Sequence, residues 1–201
     1  MKKIIIFLQI FVCIQLLPVQ GWTQSDNSSQ HAIIFNTSYT DATNGLILNP
    51  GYMFERTKSN ITVGPTLLVP IGDNLDGRDG LKLSGIQGSY QLFPFKNENK
   101  LQLYFQGDLI LQRIKDEVDA NFFNVETGSF EPFTFERTDN VIQVYFGYGL
   151  KLDLGEKMFL LQSIGLGSSI NKRKTNLGFA DFSDNFIDFD WLVKVGIGRK
   201  F

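Results

Sequence analysis

Three glycine pairs are the first residues of this chain that invite a chemical reading: Gly147-Tyr148-Gly149, Gly165-Leu166-Gly167 and Gly196-Ile197-Gly198. A Gly-x-Gly pair can bring backbone close to a pyrophosphate, but the dinucleotide fingerprint needs a third glycine and a helix after it. None of the three pairs has either, so they read better as places where a wall gives room to a large neighbour. A second group is ionisable: Glu55, Asp108, Lys151, Asp153, Lys194 and Lys200. Inside a protein such charges must be paired, and they either neutralise one another or line a polar path for ions. His31 is the only histidine and Cys13 the only cysteine.

What positions these residues is alternation. Phe189 to Phe201 reads FDWLVKVGIGRKF, with Phe189, Trp191, Val193, Val195, Ile197, Arg199 and Phe201 on one face. Asp190, Leu192, Lys194, Gly196, Gly198 and Lys200 fall on the other, the period-two pattern of a β-strand. Seven earlier segments behave alike: Ala32–Thr40, Leu46–Arg56, Ile61–Ile71, Leu81–Phe95, Leu101–Ile114, Val141–Leu154 and Lys157–Ile170. In the fifth, Leu101, Leu103, Phe105, Leu109 and Leu111 oppose Gln102, Tyr104, Gln106, Asp108 and Gln112. In the sixth, Ile142, Val144, Phe146, Tyr148, Leu150 and Leu152 oppose Gln143, Tyr145, Gly147, Gly149, Lys151 and Asp153. All six ionisable residues share the polar phase. Pro50, Pro65 and Pro94 lie inside strand patterns, where the missing N–H predicts bulges or shifted ends.

The N-terminus has the form of a secretory signal. Lys2 and Lys3 precede an apolar run from Ile4 to Val19, and Pro18 and Gly21 end that run below the ~20 residues a spanning helix needs. The expected organisation is a cleaved signal peptide over 1–21 and one barrel over 22–201. Cys13 would leave with the signal, so no disulfide or thiolate metal site is expected. Setting aside Lys2 and Lys3 leaves 17 basic against 21 acidic residues, a net charge of −4, which excludes the basic footprint of a nucleic-acid binder. No later stretch resembles a transmembrane helix, so entry into a membrane requires a closed barrel.

Between the predicted strands, short turns alternate with mostly longer loops, and an even strand number puts both termini on one side. The non-apolar face is rich in Gly, Gln and Ser with sparse charges of both signs, while the other face is bulky and aromatic. A lipocalin-type barrel would turn the apolar face inward. Here the loop pattern and the packed polar face place it outward, toward lipid. Arg113 and Arg199 fall on that apolar face near predicted strand ends, where Arg costs only ~0–1 kcal/mol. The interior of an eight-stranded barrel is only wide enough for its own side chains, which favours an ion-pair plug over an ion path.

With its strand pattern, loop asymmetry and terminal Phe201, the chain resembles the small outer-membrane β-barrel proteins of Gram-negative bacteria, of the OmpA/OmpX and PorT-like kind. The resemblance implies an all-β, eight-stranded antiparallel up-and-down transmembrane barrel with short periplasmic turns and long extracellular loops. It implies outer-membrane lipid, lipopolysaccharide and the barrel-assembly machinery as partners, with Phe201 as the assembly signal. A non-enzymatic structural or surface-binding role follows, with no cofactor. A transport or secretion accessory of the PorT-like kind is the alternative. Lipid A-modifying barrels use a His near the outer leaflet, and His31 lies ahead of the first strand on the periplasmic side, so that activity is not expected.

The stretch after the fifth strand is the candidate binding surface. Phe122, Phe123, Phe130, Phe133 and Phe135 flank Glu126-Thr127-Gly128-Ser129, a turn-like cluster. Strands five and six are therefore expected to run on past the membrane as a two-stranded fin. Its aromatics meet a protein partner, lipid head groups or the loop after strand seven, which carries Lys172, Arg173, Lys174, Phe179, Phe182 and Phe186. Lys194 is expected to pair with a lumen carboxylate, Asp108 and Asp153 being the candidates.

Overall fold

A computed structural model describes residues 30–40, 45–70, 81–95, 100–124, 128–176 and 181–201. The expected signal peptide, Cys13, the turn clusters at 41–44, 72–80 and 96–99, and Phe179 lie outside the described residues. Eight strands follow one another: β1 (Gln30–Thr40), β2 (Gly45–Glu55), β3 (Ser59–Pro70), β4 (Lys82–Leu92), β5 (Leu101–Asn124), β6 (Ser129–Asp153), β7 (Met158–Asn176) and β8 (Asp181–Lys200). Each pairs antiparallel with the next, and β1 closes on β8 from Ala32↔Lys200 to Thr40↔Leu192. The closed ladder leaves no free edge, which is what a sheet surrounded by lipid requires. Among the described residues no helix is long and apolar enough to cross a membrane, which says nothing about strands.

Alternation sets the two faces. Leu101, Leu103, Phe105, Leu109 and Leu111 of β5 are exposed, and Tyr104, Gln106, Asp108, Ile110 and Gln112 between them are buried. The same holds on β8, where Trp191, Val195 and Ile197 are exposed and Asp190, Leu192 and Lys194 are buried. The chain is thus inverted relative to a water-soluble barrel, with an apolar exterior around a mixed, packed interior. The exterior apolar rows from Leu101 to Leu111 cover ~33 Å of strand. At the usual tilt of ~40° this is a band ~25 Å tall, the height of a bilayer's hydrocarbon slab.

The prolines act where they lie. Between the pairs Leu48↔Leu67 and Tyr52↔Val63, the β2–β3 ladder is interrupted, and Pro50 and Pro65 occupy that gap. Neither can donate, and Asn49 supplies a donor instead, its side-chain amide reaching the Pro65 carbonyl at 2.7 Å. A register shift follows at Thr66/Leu67 against β4, and β4 ends at Leu92, two residues before Pro94, not at Phe95.

Two expectations about connections need correction. Residues 171–188, expected to be largely loop, are mostly strand: β7 and β8 stay paired out to Asn176↔Asp181. The asymmetry between the two ends therefore lies less in loop length than in strands that run on past the apolar band. For the same reason Arg113 is not near a strand end; it stands mid-β5, at the edge of the band. The end holding the tight turns at 56–58 and 154–157 is called the turn end below, and the opposite one the hairpin end. At the turn end Gly155 takes φ 93°, a left-handed conformation that suits glycine, as the β6–β7 turn closes with Leu154 N–H on the Met158 carbonyl.

Candidate functional site

The lumen is layered. At the turn end, the last inward residues of β2, β6 and β8 converge: Lys151 Nζ stands 2.7 Å from Glu55 and 3.9 Å from Asp153, and Lys200 Nζ 3.2 Å from Asp153 and 3.8 Å from Glu55. The Lys151 ammonium also lies 5.0 Å from the Phe159 ring centroid and 5.7 Å from that of Phe93, cation–π distances. Next comes an apolar layer of Ala32, Ile34, Met53, Phe93, Tyr104, Phe159 and Leu161. The glycine pairs act here. A Cβ at Gly149 would overlap the Tyr104 ring, and one at Gly198 the Phe159 ring, so small residues on β6 and β8 admit large ones from β5 and β7.

Beyond that layer, at mid-barrel, Lys194 Nζ donates to Asp108 at 2.6 Å and to Ser89 at 3.2 Å, and Gln87 donates to the same Asp108 oxygen at 3.2 Å. Both charged side chains are sealed, with exposures of 2% and 0%. Asp153, the other candidate partner for Lys194, belongs to the turn-end cluster instead. The six charges singled out by their phase thus form two groups. A second apolar cluster of Ile47, Leu68, Ile110, Ile114, Val141, Tyr145 and Leu192 fills the hairpin end, interleaved with buried Thr40, Ser84, Gln112 and Gln143.

Sequence reasoning missed two features here. Asp190 is a seventh inward charge: it accepts from Tyr145 Oη at 2.5 Å and from Trp191 N–H at 2.7 Å. Its even position on β8 marked it as inward. The apolar layers were missed because Phe159-Leu160-Leu161 is apolar on both phases, so alternation is silent there.

His31 is the second residue of β1, not part of a leader ahead of it. On the exterior at the turn end its ring nitrogen meets Tyr52 Oη at 2.5 Å, and it packs against Phe54 and Phe201 at 5.4 and 6.3 Å between centroids. The Phe201 N–H donates to the His31 carbonyl. Together these rings form an aromatic cluster on the barrel exterior.

At the hairpin end, β5 and β6 remain paired from Arg113↔Asn140 out to Asn124↔Ser129, and Gly128 turns with φ 66°. Beyond Glu136↔Asn176 β6 has no further β7 pair among the described residues, and the hairpin continues as a two-stranded ribbon. Phe133 and Phe135 stack at 6.2 Å on the face continuous with the lumen, across from Ala120 and Val118. Phe123 and Phe130 meet edge to face at 5.3 Å on the other face, both exposed. Phe122 lies opposite Glu131, and its side chain is outside the described residues. Lower down, Arg173 ties β6 to the β7–β8 hairpin through Asp139 at 3.0 Å and lies 5.3 Å from the Phe186 ring.

No family model and no curated protein matches the sequence. Among solved structures, the chain is similar to the N-terminal β-barrel domain of OprF from Pseudomonas aeruginosa, at 11% identity over 86% of this chain and 97% of that one, with a TM-score of 0.45. It is also similar to Neisserial surface protein A, NspA, at 14% identity over 86% and 96%, with a TM-score of 0.41.

Proposed function

We propose that this is a non-enzymatic integral protein of a bacterial outer membrane, anchored by its barrel and working through the β5–β6 hairpin as a surface that meets a protein partner. The observation that carries the membrane part is the inverted barrel: large apolar side chains cover a ~25 Å exterior band, and charges are confined to the lumen or lie beyond the band. Apolar area on that scale is unsustainable in water and is matched by lipid. The turn end then faces the periplasm and the hairpins face outward.

The lumen supports a wall over a channel. The lumen is filled by packed side chains from end to end, and its mid-barrel lysine is held by Asp108. The paired rings at the ribbon tip support the binding role, because exposed aromatics on a two-stranded ribbon are the usual anchors of a protein interface.

Labelling tests this. The expected signal carries the only cysteine, so Ser129→Cys and Glu156→Cys each provide a single thiol in the barrel. In intact cells a membrane-impermeant maleimide should label Ser129→Cys and spare Glu156→Cys; the reverse pattern overturns the orientation. Joining Glu117 to Glu136 through Asn-Gly removes the ribbon. That barrel should fold and should lose partners crosslinked to the parent in native envelopes. Retention of every crosslink would exclude the ribbon as the binding surface.

A further inference from the structure

The barrel exterior changes character abruptly above its last apolar row. Across β5 to β8 that row is Leu111, Ile142, Ile170 and Ile187. The next is Arg113, Asn140, Lys172 and Asn185, and the one after it Lys115, Thr138, Lys174 and Ser183. Four cations and no carboxylate occupy these two rows. All four side chains are exposed, and none forms an ion pair among the described residues. The acids nearest in register, Glu117, Glu136 and Asp181, stand one row further from the membrane.

The spacing is regular. Arg113 and Lys115, like Lys172 and Lys174, are two residues apart on one face of a strand, ~7 Å. β5 and β7 are two strand spacings apart, ~10 Å, with Asn140 and Thr138 of β6 between them. Like charges side by side on a sheet face repel, so the arrangement is unfavourable without an anion. More positive charge is gathered here than a single phosphodiester, accompanied in zwitterionic lipids by its own ammonium, would neutralise.

We propose that this shelf binds the phosphomonoesters of an outer-leaflet glycolipid, the chemistry of lipid A. The acyl chains lie on the apolar rows directly below. The phosphates reach Arg113 and Lys172 along the sheet face, and Lys115 and Lys174 close over them. The guanidinium of Arg113 offers a forked pair of donors to one phosphate, and Asn140 and Thr138 complete the hydrogen bonding between the cation columns. Glu117 and Glu136 bound the site on its outer side by repelling anions that rise higher. The inference rests on the membrane reading above.

The test uses the mature barrel in zwitterionic detergent micelles. It measures the temperature at which the folded, fast-migrating form converts to the unfolded one on gels, as diphosphoryl lipid A is added. Lipid A should raise that temperature in a saturable way, and the same lipid with both phosphates removed should not. In R113Q/K115Q/K172Q/K174Q the lipid concentration needed should rise by about fivefold per cation removed. K100Q/K157Q, at the turn end, should respond like the parent. An equal response of parent and quadruple variant overturns the proposal. So does an equal effect of dephosphorylated lipid, or of inorganic pyrophosphate or polyglutamate, which would reassign the shelf to soluble anions or an acidic polypeptide. The quadruple variant's own migration before lipid is added shows whether it folds; should it not, the pairs R113Q/K115Q and K172Q/K174Q carry the same comparison. Failure of the parent to change migration on boiling would sink the membrane reading itself, a result distinct from a folded barrel indifferent to phosphate.

Discussion

Lys194 and Lys151 are equally deep in the lumen, each about 1% exposed, yet their carboxylates are not alike. The Asp108 side chain is fully sealed, while Glu55 and Asp153 keep 19% and 18% of their surface in contact with solvent. Mid-barrel, one cation serves one anion, assisted only by the neutral groups of Ser89 and Gln87. At the turn end, two lysines share two carboxylates beside water. The same residue types therefore make a brittle contact in one place and a redundant one in the other. What differs is how much desolvation each charge bears and how many partners remain after one is lost.

The sharpest way to break that comparison is Lys194→Met. It strands a carboxylate fully removed from water, a change that costs about 3–5 kcal/mol. Urea unfolding of the refolded barrel in micelles should show that loss. Adding Asp108→Asn should restore most of it, because an amide needs no counter-charge and can still accept from Gln87. A Lys194→Met barrel as stable as the parent would mean that Asp108 reaches water after all. Lys151→Met should cost less, about 1.5–3 kcal/mol, the range for hydrogen bonds to charged groups. Glu55 and Asp153 keep Lys200 within 3.8 and 3.2 Å and keep their solvent. If Lys151→Met proved as damaging as Lys194→Met, the turn-end cluster would be as dry as the centre.

The direction of these side chains was legible in the sequence, and their partners were not. Alternation on β8 points Lys194 inward, but Asp108 sits on β5, which does not touch β8. The pair forms across the lumen, and which residues meet there depends on register accumulated around the barrel. Alternation likewise shows β7 up to Ile170, where apolar side chains face outward and packed side chains fill the other face. Past Ile170 both faces are polar, Lys172-Arg173-Lys174 carries no apolar period, and the pattern vanishes although backbone pairing continues to Asn176. The β5–β6 extension could be foreseen because its phenylalanines and Gly128 mark strands and a turn even outside lipid. Similarly, the glycine pairs were readable as space, but that Gly149 holds Tyr104 and Gly198 holds Phe159 required the strands to be in place.

The smallest effect should come from Lys200→Met. Lys200 is 18% exposed and stands within ion-pair range of Asp153 and Glu55. Yet Asp153 Oδ1 and Glu55 Oε2 accept no well-aimed hydrogen bond, so its contacts are Coulombic and open to salt. Removing it leaves Lys151 hydrogen-bonded to Glu55 at 2.7 Å and relieves the repulsion between the two ammonium groups. The Lys200 ammonium lies 5.9 Å from the Phe159 ring centroid, and a methionine there can pack against the same ring. A loss of about 0–1 kcal/mol is expected, shrinking further as salt is raised. The urea midpoint of Lys200→Met at low and high salt checks this. A loss as large as that for Lys194→Met, or one that persists at high salt, would show that the turn-end charges act as a single buried unit and would erase the contrast between the two ends of the lumen.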